Sequence, residues 1–204
     1  MEIGPVEGSY PGMLKTRGYS LRLPADWPPA SVTVNGAAVK QAGPTGKGGW
    51  SFEGNSLTTV IPVASQSVAG KIMIEVRRTK GLREQRNELD GFNGEMARLR
   101  GTYDALNSTP PLASPPDILI DAMQTGDRLG YHPENAEKEI THLHEILPQI
   151  QTAVDKLVQD GTKRLDEFGQ RLHHEAGAVD LQAEKQKRAD ALARAEKLVA
   201  DTGK

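Results

Sequence analysis

The chain has no cysteine among its 204 residues. That removes disulfides, thiol nucleophiles and thiolate metal sites together, without identifying a compartment. A charge excess is also missing: 25 Lys/Arg face 27 Asp/Glu, for a net charge of −2 and a pI near 6.2. No electrostatic footprint for nucleic acid or an anionic membrane is therefore expected. No apolar run approaches the roughly 18 residues a membrane span needs. The opening "MEIGPVEG" has neither the basic start nor the apolar core of a signal peptide, which leaves the compartment unknown. Aromatic residues make up only 4 % of the chain, and where they fall turns out to matter.

What is present divides into two halves near Gly81. Residues 1–80 hold 9 Lys/Arg and 5 Asp/Glu, both tryptophans and seven of the 13 prolines, whereas residues 81–204 hold 16 and 22 and all five histidines. A joint shift in charge, aromatic type and periodicity predicts two domains, 1–80 and 81–204. The first half alternates with period two: Tyr19, Leu21 and Leu23 on one face of a strand, Val32 and Val34 on another, then Ile72, Ile74 and Val76. Asn35-Gly36 is a hairpin signal because both residues tolerate positive φ, and Gly54-Asn55 marks a second turn. Short strands punctuated by Gly and Pro predict an antiparallel β-sandwich, with "KQAGPTGKGG" as a flexible loop.

The second half is helical. Leu82, Leu89, Phe92, Met96, Leu99, Tyr103 and Leu106 form an amphipathic stripe. "NSTPPLASPP" ends it, and Ser114, Pro115 and Asp117 read as the N-cap, first position and capping box of a short helix. A third stripe follows Pro133: Ile140, Leu143, Leu147, Ile150, Val154, Leu157, resuming past Gly161 with Leu165, Phe168 and Leu172. Pro148 should kink it. A last helix from about Val179 to Ala200 carries Leu181, Ala189, Leu192 and Leu198. The fold class expected is thus α+β by segregation: an N-terminal antiparallel sandwich, then an antiparallel helical bundle or long helical hairpin.

Few residues present themselves for chemistry. His142 and His144, two apart on a helix, point about 200° away from each other and cannot share one metal; His173 and His174 read as exposed. The carboxylates Glu134, Glu137, Glu139, Glu145, Asp166 and Glu167 alternate with bases such as Lys138, Arg164 and Arg171, the pattern of a solvated helix face. Asp26 is expected to hydrogen-bond its own turn. "GPTGKGG" contains Gly46-Lys47 without phosphate-loop spacing, and Ser9 and Ser51 lack a histidine partner in their half. No catalytic, cofactor or metal residue is therefore assigned. Among the aromatics, Trp50, Tyr10 and Trp27 are candidate sugar-stacking platforms; the competing reading places the tryptophans in the sandwich core or at its seam.

One stretch is familiar. Glu7-Gly8-Ser9-Tyr10-Pro11-Gly12-Met13, the strand containing Arg17 and Tyr19, Val32-Thr33-Val34-Asn35-Gly36, then "GWSF" and "KIMIEV", resemble the distal C-terminal β-sandwich of glycoside hydrolase family 31, which includes α-glucosidases and α-xylosidases. The resemblance covers about residues 3–80; the helical half resembles no named family. It implies a non-catalytic accessory module, because in that family an upstream barrel carries the nucleophile and acid/base of the retaining mechanism. The chain then reads as the tail of a larger enzyme, periplasmic or secreted being one alternative for the parent. Its expected partner is that catalytic domain, with no nucleic acid, membrane or cofactor. Two alternatives are an independent carbohydrate-binding module taking an oligosaccharide, and a homo-oligomer formed through the helical stripes.

Overall fold

A computed structural model describes residues 1–42, 48–81, 84, 87, 89–110, 112–175 and 180–202, the side chains at 166, 168–175 and 181 excepted. Within these bounds the chain is α+β in the expected order, two antiparallel sheets and then helices. It divides into two compact units, Met1–Asp90 with Gly126–Glu139, and Gly91–Thr125 with Ile140–Lys204. The change in composition near Gly81 thus lies close to the first division, but a helical segment far along the sequence belongs with the strands.

In the first unit, β1 (Glu2–Ile3), β7 (Ile72–Arg78), β3 (Pro29–Val34) and β4 (Ala37–Val39) form one sheet in that spatial order. The other sheet is β2 (Thr16–Leu23), β6 (Thr58–Ser67) and β5 (Ser51–Glu53). Period-two alternation supplies the core: Val32, Ile72 and Ile74 from one sheet, Phe52, Ile61 and Val63 from the other, all at most 3 % exposed. Met73, Glu75 and Arg77 point outward between them. Asn35 and Gly36 take φ of +50° and +79°, as a tight hairpin requires. The Asn35 carboxamide also accepts from the Met73 amide and donates to Gln66, both at 2.8 Å. The second hairpin is longer than a two-residue turn. Gly54–Leu57 fill it, and buried Leu57 sits at φ +48°.

The chain passes from β2 to β3 through Pro24–Pro28, and so from one sheet to the other. Asp26, Trp27, Pro28 and Pro29 are all buried there. Asp26 does not cap its own turn. Its carboxylate accepts two hydrogen bonds from Arg78 of β7, from Nε at 2.6 Å and Nη2 at 3.0 Å, and its amide donates to the Leu57 carbonyl at 2.9 Å. A corner too buried for water must satisfy its polar groups internally, and the fork of an arginine does so better than a turn amide.

The helices are α1 (Phe92–Asn107), α2 (Asp117–Met123), α3 (Thr125–Tyr131) and, after a 3-10 turn at Pro133–Asn135, α4 (Ala136–Glu175) and α5 (Leu181–Ala200). Helix α3, the 3-10 turn and the start of α4 belong to the first unit. Gly91, at φ +81°, separates α1 from Leu89, so the first stripe is not one unbroken helix; Leu82 lies outside the described residues. The capping box at Ser114 does not form. Pro115 precedes Pro116 and is thereby disfavoured from helical backbone; the helix starts later, with Pro116 extended at the N-cap before Asp117 and no side-chain cap. Helix α4 continues through Pro148 and Gly161. Its described buried residues include Ala136, Ile140, Leu143, Ile146, Ile150, Val154, Val158, Gly161 and Leu165, while Leu147 and Leu157 are half-buried. A straight helix turns every 3.6 residues, so the stripe drifts from the strict 3.5 spacing. Phe168 and Leu172 fall among the side chains not described, and Val179 among the residues not described.

In the second unit α5 runs along α1, and its Leu192 reaches Gly161 of α4. A Cβ added at Gly161 would sit 3.3 Å from Leu192 Cδ1, and one at Gly101 3.0 Å from Leu198 Cδ1. The two glycines let α5 approach closely, with Leu192, Ala195 and Val199 buried. Asp180 caps α5, accepting from the Gln182 and Ala183 amides at 3.1 Å.

Replacing Asp26 by alanine should lower the unfolding free energy by about 3 kcal/mol, because Arg78 keeps its charge at a mostly enclosed position with no counter-charge. Urea denaturation checks this. A loss under about 0.5 kcal/mol, the scale of an ordinary surface substitution, would show that the corner does not depend on the pair.

Candidate functional site

Two clefts are lined by described residues of the sandwich unit, each between strand-derived loops and the helical segment that belongs to the same unit. The first, of about 380 Å³, is floored by Trp27, Pro29 and Trp50 and edged by Gln41, Glu134 and Glu137. Trp27 and Trp50 come together here, far apart in sequence. Trp50 is placed by an isolated bridge to Gln41, its amide donating to Lys40 and its carbonyl accepting from Ala42. The two indoles are only 3 % and 5 % exposed. Lys80 Nζ lies 4.7 Å from the centroid of the Trp27 ring, a cation–π contact, and 3.4 Å from Glu137. Both tryptophans are thus nearly enclosed and leave little aromatic surface open to the cleft. Tyr10 is in neither cleft. It is 61 % exposed at the start of the Tyr10–Met13 turn, where its carbonyl accepts from the Met13 amide.

Glu134 and Glu137 are not arranged for acid/base work. They sit three positions apart at one helix end with side chains 62 % and 74 % exposed, near His132 Nδ1 (3.2 Å) and Lys80 respectively. A glycosidase pair must face each other across the scissile bond, and neighbours on one helical turn cannot. Acidic residues at a helix N-terminus are in any case favoured by its dipole.

The second cleft, of about 280 Å³, lies between the β5–β6 hairpin and α3. Tyr131, 59 % exposed, and Asp127 line it from α3, one turn apart on one face; Glu53, Gly54 and Asn55 line it from the hairpin. The two sides meet through glycines. A Cβ at Gly54 would fall 2.0 Å from the Gly126 carbonyl oxygen, and one at Gly126 would fall 2.2 Å from Asn55 Oδ1. Asn55 Nδ2 donates to Asp127 Oδ1 at 2.8 Å. Glu53 accepts from both Arg22 terminal nitrogens, at 2.9 and 2.5 Å, and from the Ser56 hydroxyl at 3.2 Å. The Arg22 hydrogen bonds, with the arginine charge and Ser56 adding and burial opposing, hold the Glu53 carboxyl below the usual glutamate range.

Tyr131, Asn55 and Asp127 were not picked out by sequence reasoning. The signal available was Gly126 and Gly130 four apart in "TGDRLGY", since glycines inside a short helix suggest a close approach. His142 and His144 each lie by a carboxylate: His142 Nε2 is 3.0 Å from Asp121, and His144 Nε2 is 3.6 Å from Glu95. Glu95 Oε2 is enclosed without a hydrogen bond. No group of three or more metal-binding side chains occurs among the described residues. The side chains of His173 and His174, and Gly46-Lys47, lie outside them. Among the described residues no helix is long and apolar enough to cross a membrane. No family model, curated protein or solved structure matches the chain.

For Glu53 the direction of the shift fixes the sign. Its stabilising pair with Arg22 is present above the unfolded-state glutamate pKa and is lost as pH falls through the lower folded value. In Arg22→Ala the midpoint of the Glu53 side-chain carbonyl resonance should move up toward that of an ordinary glutamate. A carbon-detected NMR titration with an unmoved midpoint would show that Arg22 is not the cause.

Proposed function

We infer that the chain is a non-catalytic C-terminal accessory module of a retaining α-glycoside hydrolase of the family 31 type. Its partner in this reading is the catalytic domain of that enzyme, and it turns over no substrate itself. The reading rests first on the resemblance of residues 3–80. The observation that carries it is how the carboxylates of the sandwich unit are used. Asp26 is held by Arg78, Glu53 by Arg22, Glu137 by Lys80 and Asp127 by Asn55. These are scaffold roles, in which a carboxylate is fixed to a partner instead of being poised to give or take a proton. Helices with buried stripes and close-packing glycines fit a brace better than a reaction centre.

The purified chain should release no nitrophenol from aryl α-glucosides or α-xylosides. Mixing it with a separately expressed family 31 barrel should raise the melting temperature of the barrel. Hydrolysis by the chain that co-purifies with it through two columns would refute the reading.

A further inference from the structure

We propose that the cleft between the β5–β6 hairpin and α3 binds a neutral oligosaccharide, with Tyr131 as the surface on which one pyranose ring stacks. The proposal stands apart from the accessory-module reading, since a module can bind glycan whether or not it serves a hydrolase.

The cleft is shaped and lined for such a ligand. At about 280 Å³ it is near the lower end of small-molecule sites, room for a sugar unit or two instead of a folded partner. Tyr131 is a large side chain left 59 % exposed at its edge. An exposed phenol gives an apolar face and a polar tip, which suits the C–H face of a pyranose with hydroxyls around its rim. The remaining side-chain groups are rich in acceptors: the carboxylates of Glu53 and Asp127 and the carboxamide of Asn55. A carboxylate has about four lone-pair sites, so the Arg22 and Ser56 bonds to Glu53, and the Asn55 bond to Asp127, leave both able to accept more. Adjacent hydroxyls supply those donors.

The same groups disfavour other ligands. An anion would meet two carboxylates, and no lysine or arginine lines the cleft. Arg22 is committed to Glu53, and Arg128, beside Asp127, donates to Glu139 at 2.6 Å. A cation would meet one carboxylate already neutralised by Arg22 and another already bonded to Asn55. The polar groups are also held in place before any ligand arrives. The Gly54–Gly126 approach fixes hairpin to helix, and Arg22 fixes Glu53, so little ordering remains to oppose binding. The Trp27–Trp50 cleft lacks the exposed aromatic surface that Tyr131 provides.

Titration of the full chain with maltotriose, xylotriose and xyloglucan heptasaccharide, followed by amide NMR, tests this. Saturable shifts are expected at Gly54, Asn55, Gly126 and Gly130 with at least one of the three. Tyr131→Ala should weaken binding at least about tenfold, Tyr131→Phe should keep it within about threefold, and Tyr10→Ala, an equally exposed tyrosine outside the cleft, should leave it unchanged. Asp127→Asn, which keeps the bond from Asn55, should weaken binding and serves if Tyr131→Ala does not fold. The proposal is overturned by no saturable shift with any of the three, by shifts centred on Trp27 and Trp50, or by undiminished binding in Tyr131→Ala or, where that variant does not fold, in Asp127→Asn. Tighter binding of a sulfated or an amino-sugar trimer than of all three neutral probes also overturns it.

Discussion

Asp26 and Arg78 meet where the chain leaves one sheet of the sandwich for the other, and the rest of the first unit is arranged around that meeting. Trp27, Pro28 and Pro29 are buried at this corner with Asp26, and prolines bring no amides to help satisfy it. Two hydrogen bonds from a guanidinium on the last strand, with the Asp26 amide tied to Leu57, meet the polar requirement. Two residues beyond Arg78, Lys80 lies over the Trp27 ring. The basic end of β7 thereby clamps the corner twice, once through a carboxylate and once through a π face. An isolated buried ion pair is weak evidence for stability. Here its value is positional, because it selects one path for the crossover.

A different constraint governs the second unit, where backbone proximity replaces charge. Gly101 and Gly161 face Leu198 and Leu192 of α5 at contact distances a larger residue would disturb. In the helix interior each glycine costs roughly 1 kcal/mol relative to alanine, which the closer packing of α5 must offset. Charge enters at its surface, as in Asp121 with His142, and at Glu95 of α1, which is buried.

What the sequence makes legible follows from the range of each interaction. The Asn35-Gly36 hairpin, the alternating strands and the existence of the helices are set within a few residues, so they can be read directly. The partner of Asp26 lies 52 residues away, and nothing local distinguishes a carboxylate that caps a turn from one that awaits an arginine. Ser114 shows a local rule losing to another local rule, since two consecutive prolines move the helix start past the apparent cap. Gly161 resembles a break until α5 is placed against α4. The Tyr131 cleft is hardest of all to foresee. Its halves come from the β5–β6 hairpin and from a helical segment that composition assigns to the other domain.

That placement is itself informative about how the first unit is built. Gly126–Glu139 supplies one wall of both clefts, and neither cleft exists in the strands alone. The strands supply one side, yet the concave surface is made only when the later helical segment is added. The Gly54–Gly126 approach sets how closely that wall stands to the hairpin, as the glycines do at α5 in the other unit. Any binding property of the unit must therefore depend on residues from both compositional halves of the chain. A fragment ending at residue 80 would retain the strands and both tryptophans but lose Tyr131, Asp127 and the helical side of each cleft.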